Sequence, residues 1–363
     1  MIVDRRLLPH MDWPLLGALF ALTLLGLATI YSVSAHNGSG EFWRQVYALP
    51  VASVALVACL MVDYRSVTQR AFFIYGGVVL LLVYVFFFGA RGGGSERWIR
   101  LAGFSLQPSE FGRIAVALVL AGFFGEVRRS ARTMGELAFG AIVVAVPAYL
   151  IYKQPDLGAA AMLIPVYLGV IAIAGMRLRW LVIGAVCLAV LSPLIWRYGL
   201  QPYQKTRIET FLDPSKDARG KGFHQIQAKI TVGSGGLFGK GFLQGTQGSG
   251  GFLPEAHNDF VFSVFAEEHG FMGVLVALAL YLFVLVRSLS AAQLARDRVG
   301  ALLVVGIVSG FGCQVLYNIT MSAGLAPVKG LTLPLMSYGG SSLVATFAAF
   351  GLILNVRMRR FTN

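Results

Sequence analysis

Charged residues and cysteines are both scarce in this sequence, and each shortage excludes a class of protein. Only 13% of the 363 residues are charged, which is about half the share that a soluble domain carries. The three cysteines, Cys59, Cys187 and Cys313, lie singly within apolar runs. This spacing fits neither a disulfide framework nor a zinc site, so we interpret them as small apolar fillers.

Long apolar runs are abundant instead, and they determine the fold class. Hydrophobic residues make up 56% of the chain, and the mean hydropathy is +0.71. A run of about 18 or more apolar residues is long enough to cross a bilayer, so we predict an all-α polytopic membrane protein. The first run is too long for a cleavable signal peptide and is interpreted as a membrane span. The ten predicted spans are 13–35, 43–62, 71–89, 109–125, 135–152, 157–175, 179–196, 259–286, 299–320 and 335–356.

The distribution of cations around these spans predicts the orientation of the chain. An even number of spans places both termini on one side, which carries fifteen arginines against six cations in the short loops opposite. Because cations accumulate on the cytoplasmic side, we expect both termini in the cytoplasm and 197–258 as one large extracytoplasmic loop. Residues 1–363 are interpreted as a single membrane domain. The net charge of +13 reflects this distribution, and no nucleic-acid partner is inferred from it.

The large loop contains a candidate amphipathic helix, KGFHQIQAKITVG. Phe223, Ile226 and Ile230 share one helical face, whereas Lys221, Gln225 and Lys229 lie on another. Such a helix suits the headgroup region of a membrane, although a helix on a soluble core would have the same pattern. The loop is too short to hold a core of its own, which favours contact with membrane lipids.

A glycine-rich segment, VGSGGLFGKGFLQGTQGSGGF, follows this helix. Backbone N–H groups of successive glycines can approach an anion closely. The segment is not a Walker A loop, because a glycine occupies the position of the required Ser or Thr. A flexible loop without a ligand is the alternative. The candidate anion ligands are Gly235, Gly236, Gly239, Lys240 and Gly241.

Three helices that run inward from the outer side each carry an acidic residue near their start, namely Glu110, Asp156 and Asp259. Ionisable groups at such depth are costly and are candidates for function. Glu110 and Arg113 are three residues apart on one helix face, which predicts a structural ion pair. Asp156 and Asp259 would each stabilise a helix N-terminus, with Asn258 as the cap in front of Asp259.

Asp259 differs from the other two acids in its surroundings. It follows the glycine-rich segment and the polar sequence PEAHN, and it faces a cationic loop. A partly desolvated carboxylate near cations is a candidate general base. His257 lies beside it, but the other histidines have no metal-ligand spacing.

Two further acids, Glu267 and Glu268, lie deeper in the same predicted helix. The helix rise places Glu267 about 12 Å below Asp259. Adjacent residues point about 100° apart, so at least one of the two needs a partner inside the bundle. A structural role and a cavity-lining role are both compatible with this pattern.

Seven motifs together make nearly the whole chain similar to one family. They are RW (97–98), QPSE (107–110), QPDLG (154–158), FLDP (211–214), GSGGLFGKGFLQGTQ (233–247), FLPEAHNDFVF (252–262) and GLAPVKGLTLPLMSYGGSS (324–342). With them the chain resembles the SEDS family (shape, elongation, division and sporulation proteins). FLDPSKDARGKGFHQIQ and GKGFLQGTQ are more similar to its elongation branch than to its division branch.

The resemblance implies a peptidoglycan glycosyltransferase with ten membrane helices, which polymerises lipid II on the outer face of the cytoplasmic membrane. It also implies a partner, a class B penicillin-binding protein that crosslinks the new glycan as a transpeptidase. The family's essential acid corresponds to Asp259. Asn258 stands where the family usually has threonine. Arg113 stands where it has lysine, which keeps the charge but changes the geometry of the donors.

On this basis we expect an inverting displacement. Asp259 accepts the proton of the 4-hydroxyl of the acceptor GlcNAc, which attacks the anomeric carbon of a lipid-linked MurNAc, and undecaprenyl diphosphate leaves. Cations near the leaving group, or a divalent ion such as Mg²⁺ or Mn²⁺, would stabilise the transition state. The expected substrate-binding residues are Arg97, Arg100, Asp156, Gly235, Gly236, Gly239, Lys240, Gly241 and His257.

Two other functions are compatible with the same sequence. A flippase that carries lipid II outward would account for the buried Glu267 and Glu268 and for the helix-breaking Pro165. Against it, the polar residues cluster at the outer helix ends, and we detect no inverted repeat. A scaffold that only holds the transpeptidase is the third possibility, and it predicts that Asp259 is dispensable.

Overall fold

The computed structural model describes residues 9–37, 40–92, 95–101, 104–126, 132–214, 220–248 and 252–361. Its helices are α1 (Trp13–Asn37), α2 (Glu41–Met61), α3 (Tyr64–Gln69), α4 (Ala71–Phe88), α5 (Pro108–Glu126), α6 (Met134–Lys153), α7 (Leu157–Ala161), α8 (Leu163–Ala174), α9 (Leu178–Leu194), α10 (Pro202–Leu212), α11 (Lys221–Ser234), α12 (Val261–Gln293), α13 (Arg298–Ser322) and α14 (Gly340–Met358).

The helices confirm a multi-pass membrane protein. In the described ranges, nine helical segments are long and apolar enough to cross a membrane, with α7 and α8 together forming one of them. They coincide with nine of the ten predicted spans. The remaining predicted span, 179–196, forms α9, which has 17 residues and continues into a π-helical turn at Ile195–Gly199.

The protein is mainly helical, as predicted, but it also contains a small β-sheet. Three short strands lie between α4 and α5: β1 (Ala90–Gly92), β2 (Ser95–Leu101) and β3 (Phe104–Leu106). They form an antiparallel sheet in the order β1-β2-β3. In this sheet Arg100 pairs with Ser105. The short, glycine-rich connection between two spans therefore folds as a β-meander and fixes the position of β2.

Helix α14 forms the centre of the bundle. In its most apolar stretch 89% of the residues are buried, against 17% for α4. It packs closely on α2, because a Cβ at Gly351 would lie 2.7 Å from the carbonyl oxygen of Leu56. The Asn355 side-chain amide also donates to the carbonyl oxygens of Leu60 (2.8 Å) and Val62 (2.7 Å). These bonds satisfy carbonyl groups that the end of α2 leaves without helical partners.

Both ends of the described chain lie at the same end of the bundle. The buried Asp12, just before α1, accepts a hydrogen bond from Nε of Arg287 of α12 and forms an ion pair with Arg357 of α14, each at 2.9 Å. A carboxylate buried among helices needs such partners. We call the opposite end of the bundle, where α12 begins, the distal end.

The amphipathic helix predicted in the segment 197–258 is present as α11. Its Gln225 and Thr231 are buried against the protein, whereas Ile226 and Ile230 are 38% and 48% exposed. Apolar side chains that face outward beside a membrane bundle are typical of a helix in the lipid interface.

Candidate functional site at the distal end

Asp259 lies in a turn that its neighbours hold from two sides. Its backbone N–H donates to the carbonyl oxygen of Glu255 at 3.1 Å. Its own carbonyl oxygen accepts from the side-chain amide of Asn318 on α13 at 2.9 Å. The same amide donates to the carbonyl oxygen of Leu331 at 2.6 Å. Asn318 therefore joins the turn to the irregular segment between α13 and α14.

A small hydrophobic cluster anchors the same turn. It joins the turn and α12 to α1, α11 and α13, and its members are Val33, Ala228, Leu253, Ala256, Phe260, Val264, Met321 and Ala326. Since burial of each large apolar side chain contributes about 1.5–3 kcal/mol, the cluster fixes the backbone on both sides of Asp259.

The N-terminal cap predicted for α12 is wrong in its detail. The helix begins at Val261, and no side chain caps it. The Asn258 side-chain amide instead donates to the carboxylate of Glu255 at 2.7 Å. Asp259 thus precedes the helix, in a turn. The Asn258 side chain, which was the predicted cap, binds Glu255 within that turn.

The Asp259 side chain is largely surrounded by protein but stays partly exposed; we call the space beside its carboxyl, next to Gly330, the recess. Burial and the nearby Glu255 raise its pKa from 3.8 to about 7, against the opposing effect of Arg97; Asp156 raises it further and Arg207 lowers it. A carboxyl with this pKa is ionised in about half of the molecules at neutral pH, which suits a general base.

Gly330 forms one wall of this recess. A Cβ at this position would lie 3.4 Å from Oδ2 of Asp259, and the residue has a left-handed φ of +64°. Both the close approach and the backbone conformation favour glycine. The segment 323–339, which the sequence analysis placed partly within the last span, is therefore a component of the site.

Asp156 and Arg97 form an ion pair beside the recess. Nη1 of Arg97 lies 2.6 Å from Oδ2 of Asp156, whose side chain is buried. The other carboxylate oxygen of Asp156 accepts from the backbone N–H of Ala159 at 2.9 Å, which confirms the predicted stabilisation of a helix N-terminus. The carboxylate of Asp156 thus orients Arg97 toward the site. Arg100 lies in the same strand, β2, and its contact with substrate stays a prediction.

Two cations of the site were not selected by the sequence analysis, Arg207 on α10 and Lys329 between α13 and α14. Lys329 directly precedes Gly330, and its Nζ lies 5.3 Å from the ring centroid of Tyr317. Burial and the nearby Arg207 lower the pKa of the Lys329 ammonium. Two neighbouring like charges attract an anion, and contact of this pair with one is a prediction. Lys329 lies within a quoted family motif and Arg207 four residues before another, which was the available signal.

His257 lies at the edge of the site. Its ring contacts the ring of Tyr338 edge to face, with centroids 5.7 Å apart, and its carbonyl oxygen accepts from the backbone N–H of Tyr338 at 2.9 Å. These contacts join the Asp259 turn to the segment before α14. A contact between His257 and substrate stays a prediction.

The glycine-rich loop lies deeper than the sequence analysis expected. Nζ of Lys240 is 2.6 Å from Oε1 of Glu267 on α12. A Cβ at Gly235 or at Gly239 would lie 2.1 Å from a carbonyl oxygen of the same helix. These glycines allow the loop to pack on α12, which is a structural reason for them, and Lys240 is engaged by Glu267. A packing role is thus evident for Gly235 and Gly239, whereas contact of Gly236, Lys240 and Gly241 with the diphosphate stays a prediction.

Glu110 and Arg113 form the predicted ion pair. Arg113 also donates to the side-chain oxygen of Gln314 on α13. The pair lines a partly open cavity between α5, α8, α13 and α14.

The residues at the distal end do not fit a resident metal ion. A divalent cation requires several oxygen ligands around one point, whereas Asp156 is occupied by Arg97 and by the start of α7. In the part of the chain that the structure describes, no group of three or more His, Cys, Asp or Glu side chains is placed to hold a metal. No reaction step is therefore derived through one.

Comparison with known proteins relates the chain to cell cycle proteins. The family model FTSW_RODA_SPOVE, described as cell cycle protein, matches residues 12–361. The peptidoglycan glycosyltransferase MrdB of Escherichia coli K12 is 35% identical over 353 residues, which cover 97% of this chain and 94% of that protein. The peptidoglycan glycosyltransferase RodA of Treponema pallidum is 31% identical over 425 residues, which cover 96% of this chain and 98% of that protein.

Two solved structures have a similar fold. One concerns the structural coordination of polymerization and crosslinking by a peptidoglycan synthase complex; it has a TM-score of 0.86 and 32% identity, over 97% of this chain and 99% of that chain. The rod shape determining protein RodA of Thermus thermophilus has a TM-score of 0.73 and 29% identity, over 97% of this chain and 98% of that chain.

Proposed function

This chain belongs to the FTSW_RODA_SPOVE family, the SEDS family of cell cycle proteins, and from this membership we propose that it is a peptidoglycan glycosyltransferase. Its substrate is lipid II, and its similarity to MrdB and RodA proteins supports a role in cell elongation and cell shape. The observation that carries the mechanism is the Asp259 carboxyl, with a pKa of about 7, in a recess near Arg97 and Arg207.

The reaction is a direct displacement at the anomeric carbon of a lipid-linked MurNAc. The 4-hydroxyl oxygen of the acceptor GlcNAc forms the new bond, and its proton passes to a carboxylate oxygen of Asp259. The bond between the anomeric carbon and the diphosphate breaks on the opposite face, and the electron pair leaves with undecaprenyl diphosphate. The anomeric configuration is inverted, and Asp259 later releases the proton to water.

The cations of the recess bind the diphosphate. Arg97 is held by Asp156 at 2.6 Å, and Lys329 directly precedes the wall residue Gly330. Together with Arg207 they offset the negative charge that develops on the leaving group. Charges fixed in place before the reaction stabilise a transition state without reorganisation.

The chain lies in the cytoplasmic membrane with both termini in the cytoplasm and with the recess on the outer face. The excess of arginine around the terminal end of the bundle supports this orientation, as does the outward apolar face of α11. A class B penicillin-binding protein is the partner. The similarity to a structure on polymerization and crosslinking by a peptidoglycan synthase complex supports this assignment.

The features that favoured a flippase have another explanation. Glu267 is paired with Lys240, and Glu268 accepts a hydrogen bond from Ser32 of α1. Both acids thus stabilise contacts between segments of the bundle, and neither favours a transport path.

The direct test is incubation of the purified protein with fluorescently labelled lipid II, followed by gel separation of the products. We expect long glycan chains from the native protein and a rate at least about 100-fold lower from Asp259→Asn. A single cooperative thermal unfolding transition at pH 5 would establish that the variant is folded. Translocation of lipid II across vesicles without polymer would support a flippase, and neither activity would support a scaffold.

A further inference from the structure

Helix α12 is interrupted within its membrane-spanning length, and the glycine-rich loop supplies backbone hydrogen bonds at the interruption. Gly270 has φ of 62° and ψ of −166°, which breaks the helical ladder. The backbone N–H groups of Lys240 and Gly241 donate to the carbonyl oxygens of Glu267 (2.9 Å) and Glu268 (3.0 Å). Because unsatisfied backbone groups are very costly in the membrane interior, the loop and the helix are a single structural unit.

The loop also supplies acceptors on the other side of the break. The backbone N–H of Phe271 donates to the carbonyl oxygen of Gly236 at 2.9 Å, and that of Met272 donates to Leu237 at 3.1 Å. The hydropathy of 259–286 predicts one continuous span. The structure has two helical pieces that meet at Gly270, and a loop that enters the bundle forms hydrogen bonds with both of them.

The Glu267 side chain is the anchor of this unit. It is fully buried, and it accepts from Nζ of Lys240 at 2.6 Å. It also accepts from the backbone N–H groups of Thr246 (2.9 Å), Gln247 (3.0 Å) and Gly248 (3.1 Å). The N–H groups of 246–248, in the same glycine-rich segment as the predicted anion ligands, thus surround an anion of the protein itself.

The loop that Glu267 anchors precedes the Asp259 turn in the sequence. A Cβ at Gly248 would lie 2.8 Å from a methyl group of Val264, one turn below the start of α12. Val264 packs with Leu253, Ala256 and Phe260 in the cluster that holds the Asp259 turn. The position of the loop and the position of Asp259 are therefore coupled through packed side chains.

We infer that Glu267 and Lys240 are positioning residues for the glycosyl transfer. They do not touch substrate; they hold residues 235–248 on the interrupted helix and thereby hold Asp259 at the depth where it meets the acceptor hydroxyl. This inference rests on the proposed function and specifies how its site is maintained. It contrasts with a direct contact between Lys240 and the diphosphate.

The test uses full-length Glu267→Gln, Lys240→Met and the double variant, with Lys240→Arg as the conservative variant. An exposed lysine of α11 gives the matched control, Lys229→Met. We expect each single variant to lower kcat for lipid II polymerisation about tenfold to a hundredfold, as displacement of a reacting group by about 1 Å does. The double variant should lose no more than the worse single variant, because the two residues act through one interaction.

Two readouts separate positioning from general stability and from substrate contact. The pH midpoint of kcat/KM should move to lower pH in both single variants, because a loosened turn exposes the Asp259 carboxyl to water. Lys240→Arg and Lys229→Met should keep the native midpoint. Additive losses, or a loss confined to Lys240→Met and expressed in KM, would assign Lys240 to the diphosphate and overturn the inference.

Hydrogen exchange provides a readout that does not depend on activity. Amide exchange should rise at 246–248 and also at 255–260 in both single variants. A rise confined to 246–248 would refute the coupling, whatever the activity. If the native protein makes no glycan but exchange rises in both segments, the proposed function fails while the mechanical link stands.

Discussion

Arg97 and Asp156 form a 2.6 Å ion pair that joins strand β2 to the start of helix α7. The pair places a positive and a negative charge near Asp259, and the two charges have opposite effects on the pKa of that carboxyl. The connection between two spans therefore affects the pKa of the proposed general base, although it is far from Asp259 in the sequence.

Removal of Arg97 and removal of Asp156 should shift the pH dependence of polymerisation in opposite directions. Arg97→Met removes a cation that lowers the pKa of Asp259, so the midpoint of kcat/KM should move to higher pH. Asp156→Asn removes an anion that raises it, so the midpoint should move to lower pH. The measurement is a pH profile of each purified variant. Arg97→Lys keeps the charge and should stay near the native midpoint; shifts of one sign for both removals would contradict the assignment.

Activity of the native protein should depend on pH through Asp259. Since the pKa of this carboxyl is about 7, kcat/KM should fall about tenfold for each pH unit below that value and level off above it. Initial rates at subsaturating lipid II between pH 5 and pH 9 provide the measurement. A flat profile between pH 5 and pH 7 would exclude Asp259 as the base.

The same pKa makes Asp259 unfavourable for stability at high pH. Its carboxyl binds protons more tightly in the folded state than at the ordinary value of 3.8, so the folded state loses stability as pH rises from about 4 through 7. Asp259→Asn removes that loss. From pH 5 to pH 8, the difference in free energy of unfolding between the variant and the native protein should grow by roughly 1–3 kcal/mol in favour of the variant. Thermal unfolding at both pH values tests this, and an equal difference at each would refute it.

Lys329→Met should impair the chemical step. The variant loses one cation next to the leaving diphosphate, and loss of a single donor to a developing anion typically costs about 100-fold to 1000-fold in kcat. The exposed Lys229 provides the matched control, because Lys229→Met removes an equal charge from α11. Single-turnover rates with labelled lipid II distinguish the two variants. Equal rates for both would remove Lys329 from the subsite.

Hydropathy and local spacing were sufficient to predict a large part of this molecule. The spans follow from runs of apolar residues, and the Glu110–Arg113 pair follows from a spacing of three on one helix face. The capping role of Asp156 was also readable, because the residue directly precedes an apolar helix. Each of these depends on neighbours within one or two helical turns.

The remainder depends on contacts between distant segments. The interruption at Gly270 is stable because a loop from 235–241 supplies its hydrogen bonds, which no local pattern specifies. Lys240 was therefore assigned to an external anion when its partner is Glu267. Lys329 was counted as a loop cation, and only the folded chain places it beside the wall of the Asp259 recess.

Gly330→Ala should reduce activity more than an equivalent substitution elsewhere in the same segment. Gly330 and Gly324 both have left-handed φ values, +64° and +75°, so alanine costs about 1–2 kcal/mol of backbone strain at either position. Only at Gly330 would the new Cβ lie 3.4 Å from Oδ2 of Asp259; at Gly324 its nearest neighbour would be the Lys229 side chain at 3.6 Å.

The two alanine variants should thus unfold at similar temperatures but differ in catalysis. The methyl group at position 330 occupies space beside the carboxyl and displaces water or the acceptor hydroxyl from it, so kcat for lipid II polymerisation should fall at least about tenfold. Gly324→Ala should remain near the native kcat. Similar losses of kcat in both variants would mean that backbone strain in this segment, rather than access to Asp259, limits the reaction.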